Sequence, residues 1–171
     1  MKNYDWTLGF EELYKLAVKK YGEGVRGADG YFEPTQVAVL EAIGSYPQEI
    51  YDFAEDAVVH GNPDAATALL IAAVRRDYFL VVQQGKSAGS RLRMEDFPGK
   101  DEQLEGVGWL PRIIKKAQSK LEGTMPLEMM YGCGGDRKFF KEHDLHPADF
   151  LREVWAAQGD AKRILQYVRK H

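Results

Sequence analysis

Asn62-Pro63-Asp64-Ala65-Ala66-Thr67-Ala68-Leu69-Leu70-Ile71-Ala72-Ala73-Val74 is the stretch that decides the fold. Asn62 can cap a helix, Pro63 suits its first position, and Asp64 puts an acid near the positive end of the helix dipole. From Ala65 to Val74 the chain is apolar but for Thr67, and rich in alanine. That composition predicts a central helix buried all round, with other helices packed closely against it. The run is too short to span a bilayer and stops at Arg75-Arg76-Asp77. Tyr78 to Val82 either extends this helix or forms a short strand, and periodicity alone does not choose.

Helical signals recur on both sides. Phe10, Leu13, Tyr14, Ala17 and Val18 share one face of a helix over 10–21. Pro34 starts a second segment, Val37 to Ile43, ended by Gly44. Pro47 opens a third, to His60, whose Ile50, Phe53, Ala54, Ala57 and Val58 form an apolar stripe. Residues 83–108 hold scattered charges and glycines without a sustained period, as a functional loop or an inter-lobe linker does. Beyond them, Pro111 to Glu122 reads as a basic amphipathic helix and Asp136 as the cap of a short one. Pro147 to Gln158 and Asp160 to Arg169 read as two more. The expected class is all-α, with an N-terminal helical part over 1–82, a long loop or linker over 83–108 and a C-terminal helical part over 109–171.

Composition bounds the function. The 171 residues carry a net charge of −3, which gives no reason to expect nucleic acid or an anionic membrane as partner. Residues 1–108 carry a net −7 and residues 109–171 a net +4. Opposite charge favours docking of the two parts, within one chain or between two copies as a homodimer. A single cysteine cannot form an internal disulfide, and the N-terminal residues from Met1 to Trp6 lack the apolar core of a secretion signal. Both point to a cytoplasmic protein.

Two phosphate motifs match in letters only. Gly22-Glu23-Gly24-Val25-Arg26-Gly27 spells G-x-G-x-x-G, yet a helix precedes it where a dinucleotide site needs a strand. Gly85-Lys86-Ser87 echoes the end of a P-loop, but Leu80 stands where its first glycine belongs. Glu49, Asp56 and His60 lie along one helix flank, and His143 and His146 flank a turn. No Glu-x-x-His pair accompanies them, and His146 suits an N-cap before Pro147. Neither a metal nor a cofactor is expected.

Tyr131-Gly132-Cys133-Gly134-Gly135-Asp136-Arg137-Lys138 carries the main chemical signal. A thiol in a glycine-rich turn before a helix, with Arg137 in its first turn, suits either a reactive cysteine or a small buried hydrophobe. Backbone N–H groups of the turn, Arg112 at the start of the Pro111 helix, and Arg91 and Arg93 in the long loop together suggest a site for a small anionic ligand. Each arginine can equally bridge to a carboxylate and simply hold the chain together.

Leu110-Pro111-Arg112, Lys116-Ala117, Lys120-Leu121, Gly123, Tyr131, Cys133 and Asp136-Arg137 with Phe139-Phe140 resemble an uncharacterised bacterial family, domain of unknown function 5069. The resemblance runs from about residue 104 to 168 and departs from the family at Gly134-Gly135, where Pro-Leu is usual. It implies a cytoplasmic protein and transfers no catalytic residue. The expectation is a non-catalytic helical protein that binds a partner or a small anionic ligand. The alternative is a thiol-dependent or anion-handling enzyme centred on Cys133.

Overall fold

A computed structural model describes residues 3–171; Met1 and Lys2, part of the N-terminal stretch read above, lie outside them. The chain is all-α, with eight α-helices among the described residues and one two-stranded ladder. It divides into two compact units, the first ending at Ser87 and the second beginning at Ala88. No described helix is long and apolar enough to cross a membrane.

The first unit contains α1 (Trp6–Gly22), α2 (Pro34–Glu41), α3 (Pro47–His60) and α4 (Ala65–Val81). The common partner is α1, which packs against α2, α3 and α4 and buries Phe10, Leu13, Tyr14 and Ala17. The central place expected for the Ala65 helix thus goes to α1. Helix α4 buries one face only, through Ala68, Ile71, Ala72, Val74 and Phe79, and leaves Leu70 and Val81 exposed. The open choice at Tyr78–Val82 falls to helix, and Arg75 does not stop it. That guanidinium turns inward, donating to the Gly44 carbonyl at 3.0 Å and to Gln83 Oε1 at 2.7 Å.

Capping differs from the sequence expectation at α4. Asp64, not Asn62, is the N-cap, its Oδ1 accepting from the Thr67 N–H at 2.7 Å. Pro63 precedes the helix, and its carbonyl accepts from the Tyr14 hydroxyl at 2.6 Å. The G-x-G-x-x-G stretch ends α1: Gly24 N–H donates to the Tyr21 carbonyl and Val25 N–H to that of Lys20. Arg26 then lies over the Tyr21 ring, 3.7 Å from its centre. These are helix-ending bonds, and the described residues before them hold no strand.

In the second unit, residues 88–108 are more ordered than a structureless loop. A 3-10 turn spans Met94–Asp96, and β1 (Gln103–Leu104) pairs antiparallel with β2 (Val107–Gly108). Glu105 and Gly106, both at positive φ, make the two-residue turn of this hairpin. Four helices follow: α5 (Leu110–Glu122), α6 (Gly134–Glu142), α7 (Pro147–Ala157) and α8 (Ala161–Lys170). Helix α5 packs on α7 and β1, and α7 on α8. Phe139 and Phe140 of α6 meet Phe150 of α7 in edge and tilted ring contacts. His146 caps α7 as expected, its Nδ1 accepting from the Ala148 N–H at 3.2 Å. The charge contrast softens at the true boundary, to −5 for residues 1–87 and +2 for 88–171.

Candidate ligand site beside Trp109

The hairpin delivers Trp109 to the start of α5 in the left-handed backbone region, φ 66°. A bulky residue there costs roughly 1–3 kcal/mol, and such strain persists only where the surroundings enforce it. Two contacts do so. The indole Nε1 donates to Asp136 Oδ1 at 2.9 Å. The ring also lies directly on Gly135, where a Cβ would stand 2.6 Å from Trp109 Cζ2. Only glycine fits beneath it.

Asp136 is wholly buried. Its second oxygen, Oδ2, accepts from the Gly132 N–H at 2.8 Å and from the Lys116 ammonium. Lys116, 3% exposed at its side chain, also reaches Cys133 Sγ at 3.2 Å. Three donors on one buried carboxylate satisfy it and lock α5, the 132–135 turn and α6 together. This corrects the expectation that Asp136 caps α6. Cys133 holds the N-cap position, and Asp136 reaches back from within the helix. It also corrects the basic-helix reading of α5, because Lys116 and Lys120 are both buried. Burial lowers the Lys120 ammonium to a pKa of about 7.

The expected site residues separate into groups. Cys133, half-buried, and Arg137, which donates to the Gly132 carbonyl at 2.9 Å, share one turn. Arg112 donates to the Pro98 carbonyl, and its guanidinium lies 5.8 Å from the centre of the Trp109 ring. Arg91 and Arg93 line a different groove, of about 360 Å³, with Met94, Pro126 and Leu127. There Arg91 donates to the Met125 carbonyl at 2.6 Å, and Arg93 pairs with Glu95 at 2.6 Å and with Asp96. The five are therefore not gathered around one ligand position.

What the sequence did not single out is a cavity of about 420 Å³ beside Trp109. The hairpin residues 106–108 and Gly135 form its backbone walls; Trp109 and Phe139 form its aromatic ones; Lys138, Glu142 and His143 complete the lining. The volume lies in the range of small-molecule sites. His143 packs on Phe139 with ring centres 4.6 Å apart, and Lys138 faces Glu142 at 3.8 Å across an exposed pair. Such a pair contributes little, so Lys138 can turn to another anion at small cost. The signal in the sequence was Trp109 itself, placed directly before Leu110-Pro111 at the start of a helix.

The flanks weighed for metal binding are engaged otherwise. Glu49 accepts from the Ser45 hydroxyl, and Asp56 meets His60 at 3.9 Å. Among the described residues no group of three or more His, Cys, Asp or Glu side chains is placed to hold a metal ion. Comparison with models of known protein families, with curated proteins and with solved structures finds no match to this chain.

Proposed function

We propose that this protein is a non-catalytic binding protein whose second unit takes a small anionic ligand in the cavity beside Trp109. The observation that carries the proposal is Trp109, held in a strained backbone conformation with its ring pinned by Gly135 and Asp136 and lining the cavity. Strain of this kind concentrates where a side chain is held ready for a ligand. The anion's partners are the Lys138 ammonium and the His143 ring, in place of the arginines expected from sequence.

The test is fluorescence titration of a variant with Trp6→Phe and Trp155→Phe, which leaves Trp109 as sole reporter, using benzoate and inorganic phosphate as probes. Saturable change with either, abolished by Lys138→Glu, supports the proposal. No change with either at millimolar concentration rejects it.

A second reading rests on the Lys116 ammonium 3.2 Å from Cys133 Sγ. Thiols in contact with a cation at a helix start include many nucleophiles, so this arrangement supports thiol-dependent chemistry at Cys133. A thiol probe that labels native Cys133 much faster than it labels a Lys116→Met variant supports this second role; equal rates reject it. We further propose a cytoplasmic homodimer, favoured by the opposite charges of the two units, which light scattering in moderate salt would reject by showing monomer alone. Membership of residues 104–168 in the family of unknown function 5069 is likewise proposed, on the motif residues quoted above.

A further inference from the structure

We infer that the ligand of the Trp109 cavity is a flat aromatic monocarboxylic acid. This rests on the proposal that the cavity is a ligand site, and goes beyond it to the chemical class.

Three features select the class. First, the cavity offers an aromatic wall, Trp109, fixed in place by Gly135 beneath its ring and by its bond to Asp136, while Phe139 contributes only a buried floor under His143. A fixed ring is a stacking surface whose ordering cost is already met in the folded protein, and aromatic faces favour other flat rings over puckered ones. Second, Gly106 and Gly108 bring bare backbone with open space above it to the lining, leaving room for a flat ring beside the indole. Third, the polar groups are asymmetric. Lys138 and His143 both come from the α6 side and Trp109 from the hairpin side, so a ligand has an apolar end toward Trp109 and a charged end toward α6. Glu142 shares that lining, and its carboxylate opposes a doubly charged phosphate more than a single carboxylate.

The ring of the acid lies against Trp109, and its carboxylate takes Lys138 from the exposed pair with Glu142. Arg112, 5.8 Å from the centre of the indole, adds positive charge beside the ring system, which suits an electron-rich aromatic anion.

Calorimetric titration of the intact chain with 1-naphthoate, benzoate, cyclohexanecarboxylate and inorganic phosphate tests the class. The expected result is that 1-naphthoate binds at least about tenfold tighter than cyclohexanecarboxylate and phosphate, with benzoate between, and that Lys138→Gln weakens 1-naphthoate about tenfold. Lys138 is exposed, so this variant keeps the fold. Equal affinity for the flat and puckered acids, or tighter binding of phosphate, overturns the aromatic class while leaving an anion site in place. Absence of binding by all four probes overturns both the class and the site. Tight 1-naphthoate binding that Lys138→Gln leaves unchanged also overturns the assignment, because the carboxylate then has a different partner.

Discussion

Asp136 is the residue on which the second unit turns. Its buried carboxylate takes the Trp109 indole, the Gly132 amide and the Lys116 ammonium at once. Removing one partner of a buried ion pair leaves the other charged without compensation, at a cost of about 3–5 kcal/mol. Asp136→Asn is therefore expected to destabilise by about 3 kcal/mol in denaturant unfolding. Lys116→Met leaves the buried Asp136 carboxylate with two donors and no countercharge, and is expected to cost a similar amount of about 3–5 kcal/mol. A loss below about 1 kcal/mol for Asp136→Asn would mean that the three contacts are decorative.

Gly44 is the corresponding point in the first unit. It adopts φ 70°, and a Cβ there would meet Phe79 at 2.7 Å. Strain and overlap act together at this position, so Gly44→Ala is expected to cost on the order of 2–3 kcal/mol, against on the order of 1 kcal/mol at Gly24, whose φ of 90° carries the strain without the overlap. Thermal unfolding of the two variants checks the contrast. Equal shifts would remove the role of Phe79.

At the scale of elements, helix α5 departs most from its sequence pattern. Lys116 and Lys120 read as a solvated basic face, yet both lie inside. The periodicity was visible; the partner of Lys116 lies twenty residues away in sequence, and spacing carries no information about it. Lys120 has a measurable consequence. With a folded pKa of about 7 against 10.5 for the free side chain, the folded chain binds fewer protons than the unfolded one between those values. Stability therefore rises with pH across that window and is lost as pH falls through about 7. Lys120→Met should gain on the order of 2 kcal/mol over the parent at pH 6, with the gain shrinking toward pH 10. A difference that is constant with pH would contradict the burial of an ionisable ammonium.

Helix boundaries were legible where chemistry is local. His146 and Pro147 announced α7, and Asp160 announced α8, whose first N–H groups it accepts. Asn62 misled because Asp64, two residues on, is the better-placed acceptor. Helix α4 misled differently. Apolar on every side in sequence, it still buries only one face, because the long amphipathic α1 supplies the larger packing surface. The hairpin at 103–108 was hidden by its length, since two residues per strand show no alternation. Of the site, the cysteine turn was legible and the cavity was not. Its lining comes from a hairpin turn and from α6, segments that no sequence period relates.

Across the whole molecule, two ionisable groups, the buried Lys120 and the half-buried Asp52, set opposite pH trends, one in each unit. Asp52 in α3 is raised to a pKa of about 7 by burial, with Glu55 and Asp56 adding to it against the hydrogen bond from Gln48. The folded chain holds that proton above pH 3.8, so its stabilising contribution is present at low pH and is lost as pH rises through about 7. Asp52→Asn keeps the neutral form and is expected to gain roughly 1 kcal/mol at pH 8 while matching the parent near pH 4. The contributions of Asp52 and Lys120 are jointly least favourable near neutrality, where the two groups are each about half charged. Denaturant titrations from pH 4 to 10 on the two single variants would separate the contributions.

Trp109 is proposed to be held rigid as the wall of a ligand cavity. The measurement that meets this proposal most directly is a proton–nitrogen correlation spectrum of the three indole N–H groups, recorded during titration with 1-naphthoate. The Trp109 signal, identified by its loss in Trp109→Phe, should move saturably while those of Trp6 and Trp155 stay in place. A Trp109 signal that remains fixed at saturating 1-naphthoate, or three signals that drift together, would contradict it.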